Sequence, residues 1–220
     1  MIAVLVPALD RPERVEPFVE SLAAASVVPI TLLWIISPGD APTAKACEAA
    51  GVKYVTTPFP LGGGDYARKV NLGIEITNDP WVFQAGDDIC FHPGWDEEAL
   101  GVGARAAAGV VGTNDLGNPL VKSGRHATHS LISRAYIEAQ GTIDEPGKAL
   151  HEGYWHCWVD NELIETAKHR RAYFAARKSR VEHLHHIWHK GRNDATYRRG
   201  QERFHEDHLL FMERRPLWRS

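Results

Sequence analysis

An α/β fold, with a mostly parallel central sheet flanked by helices and a helical C-terminal extension, is what this sequence predicts. Three observations carry the prediction. Strand-like apolar runs alternate with helix-patterned stretches through the first sixty residues, a further apolar run at Trp81-Val82-Phe83-Gln84 ends in Gly86-Asp87-Asp88, and the stretch from Trp188 onward is charged with helically spaced apolar contacts. Strands alternating with helices are the pattern of βαβ units, which build a parallel sheet covered on both faces.

The elements follow in order. Ile2 to Val6 is a continuous apolar strand stopped by Pro7, and Asp10-Arg11-Pro12 opens a helix with Val15, Phe18, Val19 and Leu22 at helical spacing. Ile30 to Ile36 is a second buried strand, turned by Ser37-Pro38-Gly39-Asp40 into a short Ala-rich helix over Thr43–Ala50 that Gly51 ends. Val52 to Thr56 is the third strand. Pro58 to Gly64 reads as a glycine-rich loop feeding a helix that carries Arg68 and Lys69 in its first turns. Three glycines let backbone N–H groups approach an anionic ligand, though a plain mobile loop has the same composition. The loop lacks the Gly-Lys-Ser/Thr of a Walker A motif and the Gly-x-Gly-x-x-Gly of a dinucleotide fold.

After Asp87-Asp88, the stretch Phe91-His92-Pro93-Gly94-Trp95 turns into a helix over Asp96–Ala108. Val110-Val111-Gly112 is a strand, Thr113 to Lys122 a polar loop, Ser130 to Gln140 a helix and Gly141 to Gly153 a second loop region. A helix then runs to about Arg171 with Asp160 and Glu162 near its start, where one carboxylate can face a cleft while the other favours the N-terminus. Tyr173–Ala176 and Val181–His185 are two short late strands, and alternation puts His183 and His185 on one face.

Composition bounds the possibilities. With 220 residues, 44% hydrophobic and 24% charged, the chain has the length and make-up to bury a core. No run approaches the roughly 18 apolar residues of a membrane span. The first residues lack a basic leader, which predicts a cytoplasmic protein. Cys47, Cys90 and Cys157 are odd in number and widely spaced, against a disulfide framework or a Cys-type zinc site. Residues 1–162 carry 11 Lys and Arg against 21 Asp and Glu, a net charge of −10, whereas residues 163–220 carry 14 against 7, a net of +7. A basic C-terminal quarter attracts polyanions or pairs with the acidic body.

Two carboxylates at the C-terminal end of a buried strand point to chemistry, because ligands of open α/β sheets bind at that edge and hard oxygen donors suit Mg²⁺ or Mn²⁺ carrying phosphates. A solvated Asp-Asp turn is the plainer alternative. The Pro-terminated first strand, the Tyr66-Ala67-Arg68-Lys69-Val70-Asn71 helix, Gly86-Asp87-Asp88, Pro93-Gly94-Trp95, Asp160-Asn161-Glu162-Leu163 and His183-Leu184-His185 occur in an order that resembles GT-A glycosyltransferases of the family 2 type, most closely small phage-type members. The likeness covers roughly residues 2–190. It implies a GT-A domain over 1–190, with a nucleotide-sugar-binding half (1–95) and an acceptor half (96–190), followed by a basic helical tail (191–220).

The resemblance also implies roles. Pro7, Ala8, Asp10 and Asp40 are expected around the base and ribose of a nucleotide-sugar, with Arg11, Arg68 and Lys69 near the donor. Asp88 is the expected ligand of Mn²⁺ or Mg²⁺, with His183 or His185 completing the shell and Asp87 on the ribose or a metal-bound water. Asp160 falls at the general base of inverting members, with Glu162 the second acidic position. The sequence departs from the family pattern in reading Gly-Asp-Asp for Asp-x-Asp, and Val159-Asp160 for the usual Glu-Asp. Modified phage DNA or a virion protein is the expected acceptor.

Two rivals stand beside this reading. A nucleotidyltransferase shares the architecture but normally has a glycine-rich first loop, and Val6-Pro7-Ala8-Leu9-Asp10-Arg11 has none. A non-catalytic module would hold nucleic acid or glycan on Trp155, Trp158, Trp188 and Tyr197 with help from the basic tail. His151-Glu152-Gly153-Tyr154-Trp155-His156 has the wrong spacing for a His-Glu-x-x-His zinc helix.

Overall fold

The computed structural model describes residues 1–59, 65–106 and 109–218. The run Gly62-Gly63-Gly64, expected to form a ligand-facing loop, lies outside them, as do Ala107 and Ala108 at the expected end of the helix from Asp96.

The strands are β1 (Ile2–Ala8), β2 (Ile30–Ile36), β3 (Tyr54–Thr56), β4 (Trp81–Gln84), β5 (Ile89–Phe91), β6 (Val110–Asn114), β7 (Ser130–Ser133) and β8 (Tyr173–His183). They join in one sheet in the order β3-β2-β1-β4-β7-β6-β8-β5. The β3-β2-β1-β4 half is wholly parallel, as the early strand and helix alternation predicts. Beyond it β7 pairs antiparallel with both β4 and β6, and β8 runs parallel to β6 and antiparallel to β5. The sheet is therefore mixed.

The helices are α1 (Val15–Ala25), α2 (Ala41–Ala49), α3 (Asp65–Ile76), α4 (Trp95–Ala106), α5 (Pro119–Lys122), α6 (Arg134–Ala139), α7 (Val159–His169), α8 (Ala195–Gln201) and α9 (Phe204–Arg214). Strand alternation sorts the core onto two faces. Ala3 and Leu5 of β1 join Val70 and Ile74 of α3 on one side, while Ile2, Val4 and Val6 join Phe18 of α1 and Trp95 of α4 on the other. β1 is buried along its whole length, so it reads as an unbroken apolar run. No helix among the described residues is long and apolar enough to cross a membrane. The three cysteines are free, with Cys47 buried and the other two half-buried.

Three local expectations are corrected. Ser130 to Gln140 is not one helix: Ser130–Ser133 forms β7, and Ser133 then caps α6 by accepting a hydrogen bond from the Tyr136 amide at 3.2 Å. Leu131 and Ile132 fit a helical stripe with Tyr136 and Ile137, but pairing on both edges holds them extended. The two late strands are one, β8, interrupted by an irregularity opposite Gly112–Asn114. The polar stretch from Thr113 contains the end of β6 and the short α5, whose cap is Asn118.

Candidate active site

The carboxyl edge of the sheet gathers the acidic and imidazole side chains. Asp87 and Asp88 follow β4, His129 precedes β7, His183 ends β8 and Asp160 lies in the first turn of α7. Because β7 is antiparallel to β4, its start meets the end of β4, which brings His129 beside Asp88.

His183 Nε2 lies 3.0 Å from Asp88 Oδ2. Asp88, His129 and His183 each offer a ligand atom, and these atoms all lie within 4.8 Å of one another. Neither His129 Nδ1 nor His183 Nδ1 has a hydrogen-bond partner, although both are buried. Gly86 keeps the space open: a Cβ there would stand 2.7 Å from Asp88 Oδ1 and 3.2 Å from His129 Nε2. Burial pushes Asp88 up, but the His183 imidazole and the Tyr197 hydroxyl outweigh it and hold the carboxyl well below its usual range. Burial pulls His129 down to about 3, so its ring is neutral, the form that ligates metal. One carboxylate and two imidazoles fit a divalent transition cation, with the imidazoles favouring Mn²⁺ over Mg²⁺.

His185 falls outside this cluster. Its Nδ1 accepts the Ile187 amide at 3.1 Å, capping a short 3₁₀ turn, and its ring centroid is 4.9 Å from that of His183. β8 ends at His183, so the alternation expected to carry both histidines to one face stops two residues early.

Asp87 is held by Arg11, whose Nη1 lies 2.7 Å from Asp87 Oδ1, while Nε and Nη2 grip Asp194 at 3.0 and 2.9 Å. The Arg11 guanidinium also lies 4.0 Å from the ring centroid of Tyr197, which donates its hydroxyl proton to Asp88 Oδ2. Tyr197 and Asp194 belong to the C-terminal segment, so α8 and its cap close directly over the two carboxylates.

A cavity of about 330 Å³ opens beside them, with Pro7, Ala8, Arg11, Lys69 and Asp87 in its wall. Lys69 is 1% exposed and donates to Ala8 O, Ser37 Oγ and Asp65 Oδ2 at 2.7, 2.7 and 2.8 Å, which uses all three ammonium protons. It ties β1 and β2 to α3. Asp40 caps α2 through the Thr43 amide and accepts the Asp10 amide at 2.9 Å, so it shapes the loop after β1. Asp10 itself is exposed and 3.5 Å from Arg199. Arg68 stacks on Phe59, 4.0 Å from the ring centroid. Asp10, Asp40 and Arg68 are not in the cavity wall.

Asp160 and Glu162 part company. Asp160 Oδ2 is 3.2 Å from His126 Nε2, and Oδ1 accepts the Asn161 amide at 2.9 Å. Burial raises Asp160, but the His126 hydrogen bond and charge bring it below the usual carboxylate range. Glu162, 3% exposed, turns the other way: Arg214 Nε and Nη2 each reach one of its oxygens at 2.8 Å, and Tyr154 donates to it at 2.7 Å.

His126, His129 and Tyr197 were not expected at the site from the sequence. The signal for His126 and His129 was their position just before the apolar pair Leu131-Ile132, visible only once that pair is read as a strand. Tyr197 reads from the sequence as an apolar tail contact or as a ligand-stacking aromatic of the rival module, and neither pattern marks a hydroxyl aimed at Asp88. Of the aromatics a binding module would expose, Trp158 packs on Phe204, His208 and Phe211, and Tyr197 is buried.

The fold is that of GT-A glycosyltransferases, as its solved structural neighbours show. No family model matches the chain, and no curated protein matches it by sequence. TarS from S. aureus aligns over 82% of this chain and 59% of its own crystallised 1–349 fragment, at 11% identity and TM-score 0.63. The mannosyltransferase PcManGT from Pyrobaculum calidifontis, solved with GDP-Man and Mn²⁺, aligns over 82% and 56% at 12% identity and TM-score 0.65. Glucosyl-3-phosphoglycerate synthase from Mycobacterium tuberculosis, solved with Mn²⁺, UDP and phosphoglyceric acid, aligns over 80% and 67% at 16% identity and TM-score 0.58. The chain thus spans a little over half the length of the TarS fragment and of PcManGT.

Proposed function

We propose that this protein is a metal-dependent glycosyltransferase of the family 2 type that moves a sugar from a nucleotide-sugar to an acceptor hydroxyl with inversion. The observation that carries this reading is the 3.0 Å approach of His183 Nε2 to Asp88 Oδ2 with His129 alongside, next to a cavity. Asp88, His129 and His183 would hold Mn²⁺, which supplies charge neutralisation on a departing diphosphate. Asp160 takes the proton of the acceptor hydroxyl as its oxygen attacks the anomeric carbon. The bond from that carbon to the diphosphate oxygen breaks in the same step, so a single displacement inverts the centre. His126 and the Asn161 amide orient the Asp160 carboxylate. Arg11 fixes Asp87 at the donor side, and Pro7 and Ala8 form the wall against the nucleoside. Glu162 holds α7 to α9 and takes no proton.

The acceptor we favour is phage DNA bearing a hydroxymethylated base, with a virion protein as the competing outcome. Arg192, Arg198 and Arg215 have no acidic partner among the described residues, whereas Arg199, Arg203 and Arg214 do. Arg198 donates to the Asn193 carbonyl and Arg215 to Met212 Sδ, contacts that leave their charges unneutralised and able to meet phosphates. A cytoplasmic setting would supply both nucleotide-sugar and DNA. The test incubates the protein with Mn²⁺, a panel of nucleotide-sugars, and either hydroxymethylated DNA or virion protein, following nucleoside diphosphate release and product mass. Transfer that Asp88→Asn and Asp160→Asn abolish supports the reading. No acceptor-stimulated release from any donor ends it.

A further inference from the structure

The stretch Trp155-His156-Cys157 lies between the loop after α6 and the start of α7, and it is held from below. The backbone amides of all three residues converge on one carboxylate, Asp207 of α9, at 2.6, 2.9 and 2.8 Å. Asp207 is 3% exposed, so this clamp is shielded from water. Three charge-assisted hydrogen bonds to consecutive amides leave the loop little freedom, which fixes where the His156 side chain points.

That side chain stands in the wall of the cavity that also holds Pro7, Ala8, Arg11 and Asp87. Its ring meets Tyr66 edge-on at 5.8 Å between centroids. On its other side the backbone of α8 comes close, because a Cβ at Gly200 would lie 2.8 Å from His156 Cδ2. The Tyr66 hydroxyl is itself taken up by Gln84 and the Ala85 carbonyl. His156 is exposed and lines the cavity, and among the described residues its recorded hydrogen bond is that of its backbone amide to Asp207 while its ring meets Tyr66. A ring held rigidly on three sides and open to the cavity faces something the protein does not itself supply.

The surroundings decide what that is. Packing of the walls around the ring lowers its pKa, against the pull of Asp88, Asp65 and Asp160. A neutral imidazole offers one donor and one acceptor, which matches a hydroxyl better than a phosphate, whose oxygens only accept. Pro7, Ala8, Arg11 and Asp87 share this cavity wall with His156, so on the donor reading the cavity holds the nucleotide-sugar, and the part of that donor which its bare diphosphate lacks is the sugar with its hydroxyls.

We infer that His156 hydrogen-bonds a hydroxyl of the transferred sugar and sets which sugar the enzyme accepts, with Asp207 as its positioning residue. This rests on the glycosyltransferase reading above. The test measures, by calorimetry with Mn²⁺ present, binding of UDP alone, UDP-glucose, UDP-galactose, UDP-N-acetylglucosamine, GDP and GDP-mannose to wild type, His156→Ala and His156→Asn. The expected result is that wild type binds one nucleotide-sugar better than its bare diphosphate and better than its epimers. His156→Ala should erase that preference by roughly 5-fold, the weight of one net hydrogen bond, while binding the bare diphosphate as wild type does. His156→Asn, which keeps a donor and an acceptor, should retain part of it. Equal weakening of diphosphate and nucleotide-sugar, or an unchanged sugar preference, overturns the inference and leaves the transferase reading standing. A wild type that binds neither diphosphate nor nucleotide-sugar overturns both.

Discussion

Replacing Arg214 should unfold the protein more readily long before it affects any chemical step. The Arg214 guanidinium makes four hydrogen bonds to two carboxylates, at 2.8 and 2.8 Å to Glu162 and 3.0 and 2.8 Å to Asp144. Its side chain is 10% exposed and that of Glu162 is 3% exposed, so salt and water screen the inner pair poorly. Arg214→Met strands the Glu162 carboxylate with only the Tyr154 hydroxyl for company, and removing one partner of a buried pair costs about 3–5 kcal/mol. At about 2–4 °C per kcal/mol for a chain of this size, Tm should fall by roughly 6–20 °C. The double variant Arg214→Met with Glu162→Met removes both charges and should recover most of that loss, since matched apolar replacements of buried pairs are often near neutral. Thermal unfolding followed by circular dichroism, with urea titration to place the values on an energy scale, reads all three proteins. Unchanged stability in Arg214→Met, or a Glu162→Gln protein of normal Tm that has lost all transfer, would refute the architectural role and return Glu162 to the chemistry.

Mn²⁺ affinity, measured by electron paramagnetic resonance, should drop in His183→Ala and His129→Ala by more than the roughly 10–100-fold that outer-shell losses cost, and change little in His185→Ala. An equal loss in His185→Ala would overturn the ligand assignment. Gly86→Ala should weaken the same site without deleting a ligand, because its Cβ would intrude on Asp88 and His129; unaltered Mn²⁺ binding would contradict this. His126→Asn should reveal a pH-dependent stability. Burial lowers the His126 pKa, but the hydrogen bond and charge of Asp160 raise it above its ordinary 6.5, so the stability of the protonated form is fully present below that value and fades as pH rises through the folded-state pKa. Asp160 is shifted below its ordinary 3.8, and its share is present above that value and fades in acid as pH falls through the lowered pKa. The gap between wild type and His126→Asn in urea unfolding should therefore be widest between about pH 4 and 6.5 and close on the alkaline side. A gap that does not vary with pH would sink the pairing. Asp207→Ala frees three amides at once and should cost about 3 kcal/mol or more, together with a raised KM for the nucleotide-sugar. A KM that stays at the wild-type value would detach the clamp from donor binding.

Much of the fold was legible because it is written in local periodicity. An unbroken apolar run such as Ile2–Val6 can only be buried on both faces, and the helix patterns between the early strands force parallel crossovers. The Asp87-Asp88 pair was legible for a related reason, since two carboxylates ending a buried strand stand at the sheet edge wherever that strand lies. β7 was not legible. Four residues followed at once by a helix have no period of their own, and it is pairing with β4 and β6, distant in sequence, that keeps them extended.

The sequence by itself therefore determined the α/β layering and the carboxylates at the edge of β4, because each depends only on near neighbours along the chain. Only the tertiary structure decided that His129 and not His185 joins Asp88, that Glu162 is bound by Arg214 while Asp160 is not, and that α8 and α9 serve the site through Tyr197 and Asp207. Those choices turn on which distant segments meet and on which side chain wins a shared partner, and a contact between residues that far apart along the chain leaves no pattern in the order of the residues that make it.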